Sequence, residues 1–91
     1  MPERTVTIGS RSGLHARPAT AFVRAATEQA VPVTVSREGR TVDARSLLSV
    51  LALGAGHGDS VTLAAEGEGA EEALDALAAL LTRDHDAEPA G

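Results

Sequence analysis

Cysteine is absent from the 91 residues, which excludes disulfides, thiol nucleophiles and cysteine-ligated zinc and gives no support to a secreted, disulfide-stapled scaffold. An intracellular, cytoplasmic location is the expectation. Tryptophan and tyrosine are absent as well, and Phe22 is the sole aromatic. Lysine is missing, so all eight basic residues are arginine, and they form no run. With no basic stripe and almost nothing to stack on bases, nucleic-acid binding is not expected. The longest apolar run is the six residues from Ala76 to Leu81, far short of the ~20 needed to span a bilayer. Met1-Pro2-Glu3-Arg4 opens no signal-peptide core, so membrane insertion is not expected either.

What remains suits one small domain. Of the apolar residues 18 are alanine, and the large ones apart from Met1 are eight Val, ten Leu, Ile8 and Phe22. Such a core is thin and aliphatic, and it leaves little room for deep cavities. Net charge is −5 but unevenly spread: residues 1–45 hold seven Arg against four acids, and residues 46–91 one Arg against nine. A binder of acidic protein surfaces or of phosphate fits this division.

Period-two alternation in Thr5-Val6-Thr7-Ile8 predicts a first strand, closed by the turn residues Gly9 to Gly13. From Ala16 the spacing changes to three and four, with Ala19, Phe22, Val23, Ala26 and Ala30 on one face of a helix running to about Gln29. Residues 31–43 read as a hairpin turning at Glu38-Gly39, with Pro32 at a strand start or edge. Ser46 before Leu47-Leu48-Ser49-Val50-Leu51-Ala52-Leu53, with Gly54 after, has the pattern of an N-cap, two helical turns and a terminating glycine. Val61, Leu63 and Ala65 alternate as a last strand, and residues 70–83 form a last helix with Leu74, Leu77 and Leu81 as its buried stripe. The order β-α-β-β-α-β-α predicts an α/β open-faced sandwich, a four-stranded sheet with helices on one face. Periodicity leaves the strand order open. Residues 1–83 should form the single domain, and residues 84–91, lacking apolar anchors, should be a disordered tail.

One segment concentrates chemistry: Gly13-Leu14-His15-Ala16-Arg17-Pro18-Ala19 brings a glycine loop, a histidine, an arginine and a helix start within seven residues. If His15 caps the helix, Ala16, Arg17 and Pro18 are its first three positions, where proline tolerates its missing N–H. The free N–H groups of Ala16 and Arg17 then form a backbone phosphate-binding site for a phosphoryl group on His15, and the Arg17 guanidinium can assist. The same positive end disfavours imidazolium and keeps a nitrogen lone pair available near neutral pH. Spacing alone leaves open that His15 is a polar loop residue and Arg17 a solvated one.

These seven residues resemble the active-site signature of the HPr family, the phosphocarriers of the bacterial phosphoenolpyruvate-dependent sugar phosphotransferase system. The element order resembles the whole HPr fold, and Ser46-Leu47-Leu48 resembles its second signature, so the likeness covers residues 3–83. It implies an antiparallel sheet of order 1-4-2-3 under three helices. It implies His15 as phosphoryl acceptor and donor through Nδ1, Arg17 as its assistant, enzyme I as donor, and sugar-specific IIA proteins or domains as acceptors. Such a protein is a carrier without cofactor or metal, not an independent enzyme, and is expected as a monomer. Leu47, Leu48 and Leu51 match the family's apolar docking patch, with Leu48 where the family often has Met, a swap that conserves volume. Arg24 is a candidate contact to an acidic partner or a solvated residue.

Ser46 has two compatible readings. It is a helix N-cap worth ~1 kcal/mol, and the resemblance adds regulatory phosphorylation by an ATP-dependent HPr kinase/phosphorylase, which alters a docking surface by adding charge. An alternative within the resemblance is a paralogue with a mainly regulatory or nitrogen-type phosphorelay role. His57, in Gly56-His57-Gly58, and His85 lack phosphate-binding surroundings and read as solvent-exposed, and no metal-ligand spacing joins the three histidines. The acidic residues Glu66, Glu68, Glu71 and Glu72 read as a solvated turn and helix start.

Overall fold

The computed structural model describes residues 2–9 and 16–82. Its elements run β1 (Glu3–Thr7), α1 (Ala16–Thr27), β2 (Val33–Arg37), β3 (Arg40–Asp43), α2 (Leu47–Ala52), β4 (Ser60–Ala65) and α3 (Ala70–Thr82). The strands form one antiparallel sheet in the order β1-β4-β2-β3. Thr5 stands opposite Thr62, Val35 opposite Leu63, and Val35 opposite Val42 on its other side.

This register sorts side chains by chemistry because alternate residues point to opposite faces. Val33, Val35, Val61 and Leu63 share the face toward the helices and are buried. Thr5, Thr62, Ser36 and Thr41 form a row across the opposite face, where the Thr5 and Thr62 hydroxyls lie 3.1 Å apart. Hydroxyl side chains suit the exposed face of a sheet that is covered on one side only. Phe22 of α1, Val50 of α2 and Leu74 and Leu77 of α3 complete the core. α1 touches both other helices.

Several boundaries move from the expected positions. β1 ends at Thr7, but Ile8 is fully buried and continues its bonding, donating to the Asp59 carbonyl at 2.9 Å and accepting from the Gly58 N–H at 3.0 Å. α1 ends at Thr27 instead of Gln29, since Glu28 and Gln29 donate to carbonyls three residues back and tighten the turn. Ala30 therefore leaves the helix and is exposed, not on the buried face. α2 stops at Ala52, and Gly54 follows at φ +65° with its N–H on the Leu51 carbonyl, so the terminating glycine is the residue expected. The hairpin turn Glu38-Gly39 has positive φ at both positions, +51° and +81°, the twist that matches two-residue hairpin loops.

Among the described residues no helix is long and apolar enough to cross a membrane. The expected disordered tail, residues 84–91, lies outside the described residues.

Candidate functional site

His15 and the preceding Gly13-Leu14 lie outside the described residues, as does His85. The structure does describe the helix that follows them. α1 begins at Ala16, so Arg17 and Pro18 are its second and third residues. Pro18 and Ala19 are buried and anchor this end of the helix, while Arg17 is exposed. Arg17, Thr20, Ala21 and Arg24 recur at the three- and four-residue spacing of one helical face and line a concavity of about 480 Å³. α1 carries both arginines and no acidic residue, so this face is positive.

α2 presents the second part of the surface. Ser46 is its N-cap, with φ −102° and ψ 108°, and its Oγ accepts the Ser49 N–H at 3.4 Å and lies 3.0 Å from the Ser49 hydroxyl. Its capping role is thus seen directly. An apolar helix six residues long needs such an anchor because it has so few internal bonds. Leu48 is 81% exposed and Leu47 is at 37%. Leu51 is half-buried against the core and contributes less free surface than its two neighbours. Asp43 and Arg45 organise the approach to Ser46. The Asp43 carboxylate accepts the Arg45 backbone N–H at 2.9 Å and its Nε at 3.2 Å. These bonds, led by the one from the Arg45 side chain, hold the Asp43 carboxyl below its ordinary value, while the Arg45 guanidinium is held above its own.

Two further arginines act on α2 from the hairpin. Arg37 Nη1 donates to the Leu53 carbonyl at 3.0 Å and Nη2 to Asp59 Oδ2 at 3.1 Å, and Arg40 Nη1 donates to the Ala52 carbonyl at 3.3 Å. Cations at carbonyls that end a helix are favourable. Sequence reasoning missed this pair, although a signal was present: Arg37 continues the Val33, Val35 alternation and so lies on the helix-facing side. His57 is exposed, at the turn between Gly56 and Asp59. Among the described residues no group of three or more His, Asp or Glu is arranged to hold a metal ion. The acidic residues Glu66, Glu68, Glu71 and Glu72 are all exposed, and Glu71 with Asp75 engages Arg4 of β1.

The comparisons with known proteins converge on this architecture. The family described as PTS HPr component phosphorylation site matches residues 2–83. The phosphocarrier protein HPr of Streptomyces coelicolor is 54% identical over 82 residues, 89% of this chain and 88% of that one. Among solved structures, HPr-C-His from Thermoanaerobacter tengcongensis superposes with a TM-score of 0.89 at 37% identity, covering 98% of this chain and 100% of that one. A structure described as an HPr dimer from the same organism superposes with a TM-score of 0.68 at 40% identity, covering 88% of this chain and 92% of that one. The matched span takes in the histidine signature, the helix α1 that follows it in sequence and the capped apolar helix α2, and on that span the chain belongs to the HPr family of phosphocarriers.

Proposed function

We propose that the protein accepts a phosphoryl group on His15 from phosphorylated enzyme I and passes it to sugar-specific IIA proteins or domains in carbohydrate uptake. The observation that carries this reading is the family match over residues 2–83, which includes the whole histidine signature. The start of α1 at Ala16 supports it. A helix N-terminus carries roughly half a positive charge on N–H groups without intrahelical partners. On His15 the Nδ1 lone pair attacks phosphorus, the bond from phosphorus to the donor breaks, and the phosphoryl oxygens meet the Ala16 and Arg17 N–H groups and the Arg17 guanidinium. Reversal of the step onto an acceptor needs the same groups. The partners provide the remaining catalytic machinery, so the isolated protein is a carrier and not an enzyme, and it works as a cytoplasmic monomer.

Docking falls to the adjoining surfaces, Arg17 and Arg24 toward acidic groups and Leu47 and Leu48 toward an apolar patch. Leu51 backs them. The test is intact mass after incubation with enzyme I, magnesium and phosphoenolpyruvate, for the wild type and His15→Ala. One acid-labile phosphoryl group gained by the wild type alone is the expected result. No gain, with an enzyme I active on its own carrier, withdraws the sugar-transport assignment and leaves a paralogue with another donor.

A further inference from the structure

The Gly54–Asp59 loop is held from two sides. At one end Ile8 donates to the Asp59 carbonyl at 2.9 Å and accepts from the Gly58 N–H at 3.0 Å. At the other, Arg37 reaches across from β2. Its guanidinium bonds the Leu53 carbonyl and Asp59 Oδ2, and Nη1 lies 3.2 Å from the Glu38 carboxylate. The same Asp59 oxygen accepts the Gly56 N–H at 2.8 Å, while the Asp59 N–H donates back to the Gly56 carbonyl at 3.0 Å. One carboxylate thus closes the turn and ties it to the sheet. The Arg37 side chain is 23% exposed, against 36% for Arg4 and 47% for Arg45. Of these three arginines it is the most shielded from solvent, and its pairing is the least weakened by water.

We propose that Arg37 and Asp59 are positioning residues for partner docking: together they fix the C-terminal end of α2 and the loop after it, and so set how Leu47 and Leu48 are presented. The inference rests on the phosphocarrier reading. Loss of Arg37 frees the Leu53 carbonyl and unties the Asp59 carboxylate from β2, whereas the bonds of Ile8 and Gly56 within the loop persist, so the change falls on the end of α2 and not on the strand that leads toward His15. Its kinetic signature is weaker docking at an unchanged rate of transfer once docked. The Arg37 head borders a cavity of about 260 Å³ shared with Glu38, Arg40 and Leu53, so Met fits in its place without overpacking.

The experiment measures KM and kcat for phosphoryl transfer from phosphorylated enzyme I to the wild type, Arg37→Met, Arg37→Lys, Asp59→Asn, the Arg37→Met/Asp59→Asn double variant and Arg4→Met. The last removes the same charge on the far side of α3. Arg37→Met should raise KM about five- to tenfold with kcat within about twofold, and Arg37→Lys should recover much of the loss. Asp59→Asn should resemble Arg37→Met, and the double variant should be no worse than either, as for two members of one contact. Arg4→Met should stay near wild type. Circular dichroism checks folding at the assay temperature, and if Arg37→Met is unfolded the test passes to Asp59→Asn, which keeps an acceptor for the Gly56 N–H. Unchanged KM in the folded variants, or an equal rise in Arg4→Met, overturns the inference and leaves the carrier reading standing. A wild type that takes no phosphoryl group overturns both.

Discussion

Substitution of Ser46 separates its capping role from the docking role proposed for the surface beside it. Its Oγ accepts the Ser49 N–H at 3.4 Å, and its backbone carbonyl accepts the Val50 N–H at 2.9 Å. The first bond depends on the side chain, as does the 3.0 Å contact between the Ser46 and Ser49 hydroxyls, whereas the second does not. Replacing an N-cap serine by alanine costs about 0.5–2 kcal/mol, and the long Oγ contact places this site in the lower half of that range. For a domain of this size about 0.5–1 kcal/mol lowers Tm by about 2–8 °C. Ser46→Asp keeps an acceptor at the cap and adds a negative charge to a helix start, so its Tm should remain within about 2 °C of wild type. Phosphoryl transfer should order the variants the other way. Ser46 directly precedes Leu47 and Leu48, and a unit charge about 10 Å from an acidic partner group costs about 1–2 kcal/mol at the effective dielectric of a protein surface. That is roughly a 5- to 30-fold rise in KM for enzyme I, nearer the low end at physiological ionic strength. The assay pairs thermal unfolding with transfer kinetics on the same preparations. If Ser46→Asp loses as much stability as Ser46→Ala, or if Ser46→Ala impairs transfer as much as Ser46→Asp does, the division between cap and docking surface is wrong.

Two other substitutions test parts of the fold. Glu38 sits at φ +51° in a two-residue hairpin turn before Gly39, a conformation that asparagine adopts more readily than glutamate. Glu38→Asn should raise Tm by about 2–8 °C, the shift for about 0.5–1 kcal/mol, and an unchanged or lower Tm in a thermal melt counts against strain at that residue. The Asp43 carboxyl is held below its ordinary value, first by the bond from the Arg45 side chain and then by the one from the Arg45 backbone N–H. A depressed carboxyl contributes stability above its unfolded value of 3.8 and loses it as pH falls through the lower folded value. Asp43→Asn should therefore flatten the fall of Tm as pH drops below about 5, while leaving an acceptor for the Arg45 N–H. Parallel Tm-against-pH curves for variant and wild type refute the linkage.

Local patterns carried the elements and their order because each depends on near neighbours. The Val33, Val35 and Val61, Leu63 alternations are buried as expected, and so is the Leu74, Leu77, Leu81 stripe. Strand order was different in kind. Several pairings bury the same alternating face, and only the resemblance carried by the histidine signature pointed to 1-4-2-3. Ala30 was misplaced because helical spacing continues in the sequence past the point where Glu28 and Gln29 tighten the last turn. The Arg37 clamp was hidden for another reason: its bonds reach residues 16 and 22 positions away, and no window of the sequence shows Arg37, Leu53 and Asp59 together. Ser46 and Gly54 were legible at both ends of α2 because caps act within one turn.

The fold turns an uneven sequence into separate charged surfaces. α1 holds two arginines and no acid, α2 holds no charge, and α3 holds Glu71, Glu72 and Asp75 with no base. A net charge of −5 would by itself keep an acidic partner away. An approaching surface, however, responds chiefly to charges within a Debye length, about 8 Å at physiological ionic strength. At the Arg17 and Arg24 face those charges include two guanidiniums, and two of the acids on α3 already face Arg4. Attraction is therefore local to α1 while the molecule as a whole stays anionic. That arrangement favours one orientation of encounter over the others, as the proposed transfer of a phosphoryl group between partners requires.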